Sequence, residues 1–393
     1  MKTLTFVIAL LPLAALAAPA RWVTVDSQVL QKAAPQKVTK AVDQGNGVSL
    51  MRMTDAEIES LSEAIHHDLH RCGGYVAHDT EAEAREALAP RGDTQFAVKS
   101  VFADYEINQR SSVASMVTQV RAGNIQQTIE MLSAFNNRHY QAETGVQSST
   151  KIRDMWAAIA AGRSDVKVEL LQHRGWPQPS VILTIEGSSR ADEIVVLGGH
   201  ADSIGRGLFG GGARARAPGA DDNASGIATL TETLRIAMAN NFKPARTVQF
   251  MAYAAEEAGL LGSKEIANTY KTQGKQVVGK IQFDMTLNKG TADQDIVMMS
   301  DFTNRAQNEF LGKLIDEYVG VRWGYSRCGY GCSDHASWTN AGFPASMPFE
   351  STMGDINKKI HTEHDTLANA GGNANHAAKF AKLAIAYMVE LAN

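Results

Sequence analysis

Little in this chain points to nucleic acid, a membrane or thiol chemistry. Its 393 residues carry a net charge of −4 with no Lys/Arg-rich tract, which argues against a nucleic-acid partner. Only three cysteines occur, Cys72, Cys328 and Cys332. A zinc ribbon needs a second cysteine pair. A redox motif needs Cys-x-x-Cys, and Cys328-Gly-Tyr-Gly-Cys332 is one residue longer. Residues 205–217 are rich in glycine and arginine but lack Gly-Lys-Ser/Thr after the glycines, so they are not a phosphate loop. No internal repeat is present, and past residue 17 no apolar run reaches the ~20 residues of a membrane span. What remains is 44% hydrophobic and 20% charged, the composition of a large globular core.

The first residues set the expected compartment. Lys2, an apolar run over residues 4–16 and the small-x-small pattern Ala15-Leu16-Ala17 predict a signal peptide over residues 1–17. The mature protein is then secreted, without a membrane partner, and nothing indicates more than a monomer. In an oxidising environment Cys328 and Cys332 are expected to form a disulfide. Cys72 is left over. It falls within residues 18–104, which are charged, alanine-rich and without the apolar runs seen later. There Thr54-Asp55-Ala56-Glu57 forms a capping box, with Ile58, Leu61, Ile65 and Leu69 at helical spacing, and a second helix is expected near residues 81–88. The segment reads as a small helical pro-segment that shields the active site of a zymogen until export is complete, and Cys72 would leave with it.

Residues 105–393 alternate between strand and helix patterns. Strands are expected at 166–171, 180–186, 194–197, 247–254, 280–284 and 295–299. Helices are expected at 125–135, 150–160, 224–239, 257–272, 304–318 and 375–391. This order predicts a single α/β domain with a central, mostly parallel (mixed) β-sheet flanked by helices on both faces.

Chemistry gathers where those strands end. His200 and Asp202 follow Val195-Val196-Leu197, Glu256 and Glu257 follow the run from Phe250, and Asp284 sits between Phe283 and Met285. Charged groups are costly in a core unless paired or bound to metal, and ligands of open α/β sheets bind at the carboxyl ends of strands. His-x-Asp suits a metal ligand with the carboxylate that orients its ring. Asp221-Asp222-Asn223 precedes a helix, where acids and Asn are also favoured caps, and Glu256-Glu257 shares that ambiguity. Their coincidence with His200 and Asp284 favours a metal-dependent hydrolase. The residues alone leave His335, His361 and His364 open as a further ligand.

Taken together, Gly-Gly-His200-Ala-Asp202-Ser, Pro-Gly-Ala-Asp221-Asp222-Asn, Tyr-Ala-Ala-Glu256-Glu257-Ala-Gly-Leu, Phe-Asp284-Met and Cys328-Gly-Tyr-Gly-Cys332-Ser-Asp-His resemble the secreted bacterial leucyl aminopeptidases of peptidase family M28, the Vibrio/Aeromonas type. The resemblance extends from about residue 105 to the C-terminus. It implies two Zn2+ ions, with Asp222 bridging them, His200 and Asp284 on one, and Glu257 and His361 on the other. It makes Glu256 the general base for a metal-bridging water, Asp202 the partner of His200, and His335 a structural residue. The implied substrates are peptides with a free N-terminus and a hydrophobic first residue, leucine preferred. The implied side-chain pocket near the disulfide loop is lined by Met285, Met299, Tyr330, Phe349, Met353 and Ile360. The alternatives are related zinc-dependent amide chemistry on the same fold, such as a glutaminyl cyclase or carboxypeptidase, and a non-catalytic binding module. Such a module would be expected to have lost Glu256 or a ligand, and none is missing.

Overall fold

The computed structural model describes residues 20–38, 41–45, 47–69, 74–78, 80–86, 88, 101–102, 105–207 and 210–393. The expected signal peptide and Cys72 lie outside the described residues. In the N-terminal part, β1 (Ala20–Asp26), β2 (Asp43–Gly45), β3 (Val48–Thr54) and β4 (Tyr75–His78) pair antiparallel in the order β2-β3-β1-β4. The helical reading of this segment is therefore corrected. The helices Ser27–Ala33 and Asp55–Leu69 are present but pack on a sheet, through Val23, Val25, Leu30, Met53, Leu61 and Ile65. The period-two pattern of Trp-Val-Thr-Val and Leu-Met-Arg-Met carries that sheet. The capping box forms as read: the Glu57 N–H donates to Thr54 Oγ1, and Glu57 Oε2 accepts the Thr54 N–H.

The larger part contains β5 (Val166–Leu171), β6 (Ser180–Ile185), β7 (Arg190–His200), the two-residue strands β8 (Arg206–Gly207) and β9 (Gly210–Gly211), β10 (Arg246–Tyr253), β11 (Gln276–Gln282), β12 (Ile296–Met299), β13 (Trp323–Ser326), β14 (Ala345–Ser346) and β15 (Pro348–Phe349). Its main sheet runs β14-β11-β7-β10-β6-β5. The four strands β14, β11, β7 and β10 are parallel, and β6 is antiparallel to both neighbours. The expectation of a mixed, mostly parallel sheet holds.

Side chains of one strand alternate between two cores. Val195 and Leu197 of β7 join Val248, Phe250 and Ala252 of β10 under the helices Ala122–Ser133, Glu143–Ile159, Gly226–Ala239 and Ala377–Ala392. Ile194 and Val196 join Met251 and Tyr253 on the other face, with Ile266 and Ala267 of the helix Leu261–Thr272 and with Trp338. Burial of both faces is why these strands read as unbroken apolar runs instead of alternating ones. A smaller sheet, β13-β12-β15, stands beside the main one.

Two boundaries differ from expectation at positions that matter. β11 stops at Gln282, so Asp284 lies beyond the strand. The helix expected from 257 begins at Leu261, because Ala255 (φ 56°), Gly259 (φ 96°) and Leu260 (φ 64°) adopt left-handed backbone that no right-handed helix contains. Glu256 and Glu257 therefore sit in a tight turn, and the helix-dipole explanation for them falls away. Among the described residues no helix is long and apolar enough to cross a membrane.

Candidate metal centre

The carboxyl ends of β11, β7 and β10 lie side by side, and each delivers a polar side chain to one place. Tyr253 is level with His200 across the β7–β10 ladder, and the Phe283 N–H donates to Gly198 O, which brings Asp284 alongside. Asp222 arrives from the turn Ala220–Ser225 that leads into the helix Gly226–Ala239. That turn is pinned to the residue that follows β11: Asn223 Nδ2 donates to Phe283 O, and Asn223 Oδ1 accepts the Gly226 N–H. Asn223 thus does the capping, leaving Asp222 free of that duty. Gly226 is required here, since a Cβ would fall 2.2 Å from Phe283 O.

Asp222 lies at the centre of the arrangement. Its Oδ1 is 3.0 Å from His200 Nε2, and its Oδ2 is 2.7 Å from His361 Nε2. His200 Nε2 also lies 3.3 Å from Asp284 Oδ1, and His361 Nε2 lies 3.0 Å from Glu257 Oε2. Two trios result, His200–Asp222–Asp284 and Asp222–Glu257–His361, each with one donor atom per residue and all within 4.8 Å of one another. All five side chains are buried, as is Glu256. Neither Glu257 Oε1 nor Asp284 Oδ1 has a hydrogen-bond donor. Three carboxylates facing two imidazoles, with buried oxygens lacking donors, fit a pair of divalent cations, and the nitrogen and oxygen donor set suits zinc.

Without metal, protons hold the site together. Burial opposes a charged His361, but Glu257 and Asp222 overcome it and push its pKa up to about 10. Burial likewise opposes a charged His200, and Asp284, Glu256, Asp202 and Asp222 hold it well above the ordinary histidine range. Burial alone would raise the Asp222 carboxyl; the two imidazoles hold it well below the usual carboxylate range. Burial, reinforced by Asp222, pushes Glu257 up to about 7 against His361. Burial with Glu257, Asp334 and Asp284 holds Glu256 well above the ordinary range, with His200 opposing.

Asp202 ties the site together. Its carboxylate accepts the N–H groups of both Glu256 and Glu257, each at 3.1 Å, and Oδ1 lies 3.4 Å from His200 Nδ1. It therefore places both acids as well as facing the imidazole. Asp202→Ala is expected to weaken metal affinity or activity by about 10–100-fold. An unchanged metal dissociation constant and an unchanged rate would count against that role.

The three candidate histidines separate. His361 joins the cluster, His335 is buried away from it, and His364 is exposed. Burial depresses the pKa of His335 to about 3. Met285, Met299, Tyr330, Phe349 and Ile360 form one apolar cluster with Cys328 and Cys332, with Met353 packed against it. The disulfide Cys328–Cys332 is present. Two buried residues escaped the sequence reading. Asp365 accepts the N–H groups of Asp221 and Asp222, both at 3.0 Å, and the Arg138 guanidinium donates to the carbonyls of Ala201, Pro218 and Gly219. Neither stands near an apolar strand end, the one signal that led to the others. A buried Arg or Asp inside a loop has no local pattern.

Known proteins resemble this chain in sequence and in fold. The profile of peptidase family M28 matches residues 180–388. A probable leucine aminopeptidase of Trichophyton verrucosum is 36% identical over 308 residues, covering 76% of this chain and 82% of the fungal one. The crystal structure of the Legionella pneumophila LapA aminopeptidase matches 96% of this chain and 99% of its own, with a TM-score of 0.81 and 28% identity. Porphyromonas gingivalis glutaminyl cyclase, at 13% identity and a TM-score of 0.55 over 68% of this chain and 98% of its own, shares the fold alone. The chain belongs to peptidase family M28, whose members are zinc-dependent, and it is a metallo-aminopeptidase.

Proposed function

We propose that the chain is an exported dizinc aminopeptidase that releases hydrophobic N-terminal residues, leucine preferred, from peptides, and that it is of the secreted Vibrio/Aeromonas type. The observation that carries this reading is Asp222, one buried carboxylate with a different imidazole on each oxygen. In this reading His200, Asp222 and Asp284 hold one Zn2+, and Asp222, Glu257 and His361 hold the other. When bound, the zinc pair polarises the scissile carbonyl and lowers the pKa of water. Glu256 accepts a proton from the attacking water and passes it to the leaving amine. Asp202 fixes that carboxylate through the Glu256 N–H. The apolar cluster of Met285, Met299, Tyr330, Phe349, Met353 and Ile360 takes the first side chain, and methionine there adapts to Leu, Met or Phe. The leucine aminopeptidase names of the fungal relatives support this preference.

The deciding experiment is an assay of purified, zinc-analysed protein on leucine p-nitroanilide. Release of nitroaniline with two zinc per chain is expected. Turnover only of N-blocked or N-glutaminyl substrates would replace this reading with carboxypeptidase or glutaminyl cyclase chemistry.

Zinc uptake should depend on pH with a definite sign. Metal-free His361 keeps its proton up to about pH 10, and His200 is also held charged. Loading must expel those protons and the fraction held by Glu257, so affinity rises with pH and falls as pH is lowered, with at least two protons released per chain near neutrality. Calorimetric titration in buffers of different ionisation enthalpy counts them. A pH-independent affinity would contradict the site.

Residues 18–104 act in this reading as a removable pro-segment that covers the site. The Tyr75 hydroxyl donates to Glu257 O at 2.8 Å, and Ala77 packs with Ala255, Ala258 and Leu261 of the same turn. N-terminal sequencing of the protein from culture medium should begin near residue 105, with higher activity than the full chain. A start near residue 18 would remove the pro-segment reading.

A further inference from the structure

A second hydrogen-bonded chain stands behind the Glu256 turn, outside both cation-facing trios. His173 Nδ1 lies 3.0 Å from Glu265 Oε2, His173 Nε2 lies 2.7 Å from Ser180 Oγ, and the Ala254 N–H donates to Ser180 Oγ at 2.9 Å. Carboxylate, imidazole and hydroxyl follow in the order of a nucleophilic triad. Ser180 and His173 are buried, however, so the hydroxyl is no nucleophile. Its role lies in what it holds.

Ser180 opens β6, and the ladder between β6 and β10 reaches only the Val181–Ala252 pair. Two residues past Ala252, the Ala254 N–H is bonded by the Ser180 side chain. Two residues further stands Glu256. A neutral His173 with its proton on Nδ1 satisfies both neighbours: it donates to Glu265 and accepts the Ser180 O–H, which leaves a serine lone pair for Ala254. Burial lowers the His173 pKa, and Glu265 opposes this, so the imidazole is neutral near pH 7. His173 also stacks on Trp176 with ring centroids 4.8 Å apart, and Trp176 packs with Ala255, Ala258 and Leu261 of the turn. The turn is thus held from the β7 side by Asp202 and from the β6 side by Ser180.

We infer that Ser180 and His173, anchored by Glu265, are positioning residues that fix the Glu256 carboxylate for proton transfer. The inference rests on the reading of Glu256 as the base. A misplacement of about 1 Å in a reacting group costs on the order of 10²-fold in rate, so a small rotation of this turn is enough to be measured.

Ser180→Ala should lower kcat on leucine p-nitroanilide by about 10-fold or more, with KM and zinc content unchanged. The Glu265 side chain is 39% exposed, so its variants are expected to fold. Glu265→Ala should lower kcat several-fold, and Glu265→Gln, whose amide oxygen still accepts the His173 N–H, should restore it. A merely structural role would lower the melting temperature and leave kcat per folded, zinc-loaded chain at the parental value. That result in both Ser180→Ala and Glu265→Ala overturns the inference. Glu256→Ala, measured in parallel, separates the two levels. Loss of turnover there beside parental kcat in the other two refutes the positioning alone, whereas parental kcat in Glu256→Ala refutes the base itself.

Discussion

Glu256→Ala should lower kcat by about 10²–10⁴-fold or more while both metal positions remain filled. Glu256 belongs to neither cation-facing trio, so its removal leaves every donor atom of the proposed metal pair in place. Its carboxyl is buried, and in the metal-free chain burial together with Glu257, Asp334 and Asp284 raises its proton affinity well above that of an ordinary carboxylate. A carboxylate placed beside the proposed cations can take a proton from water and return it to the leaving amine. The backbone is fixed independently through the N–H groups given to Asp202, so the loss should be confined to kcat. Kinetics on leucine p-nitroanilide with metal analysis of the same sample provides the check. A zinc-replete variant with near-parental turnover would remove Glu256 from the mechanism.

Asp222→Asn should have the other large effect, and it should appear first in metal binding. Its two oxygens face two imidazoles, so the amide removes the anionic partner from both trios at once. Breaking a buried ion pair costs about 3–5 kcal/mol, which corresponds to roughly 10²–10³-fold or more in affinity. Zinc per chain should fall below two, with activity lost in step. Asp221→Asn is the control. The Asp221 oxygens are occupied by the Leu287 N–H and the Asn357 amide, so that change should lower stability and leave zinc stoichiometry intact. Full zinc content and activity in Asp222→Asn would refute the shared carboxylate.

The parts legible in the sequence were those with a local signature. Strands buried on both faces read as unbroken apolar runs, so β6, β10 and β12 were located within a residue or two. Polar residues at or just past the ends of β7, β10 and β11 marked His200, Glu256, Glu257 and Asp284. The N-terminal sheet was missed because β1 and β3 interleave polar with apolar residues and lack the unbroken apolar runs of the main sheet. The start of the helix at Leu261 was misread because Glu, Ala and Leu favour helix, whereas Asp202, more than fifty residues away, draws the Glu256 and Glu257 amides out of it. Tertiary bonds of that kind override propensity and leave no trace in neighbouring residues. His361 illustrates the same limit. It stands on the long connection between β15 and the last helix, where no periodicity distinguishes it from His335 or His364. Resemblance named it, and folding brings it to Asp222.

Because Glu256 and Glu257 are consecutive and hang from one aspartate, the proposed proton carrier and the proposed metal ligand cannot be tuned apart. An insertion between β10 and the following helix would dislodge both together, whereas the apolar wall around the disulfide can change shape without disturbing either. New tastes in substrate are therefore open to this scaffold through that wall, while its chemistry stays locked.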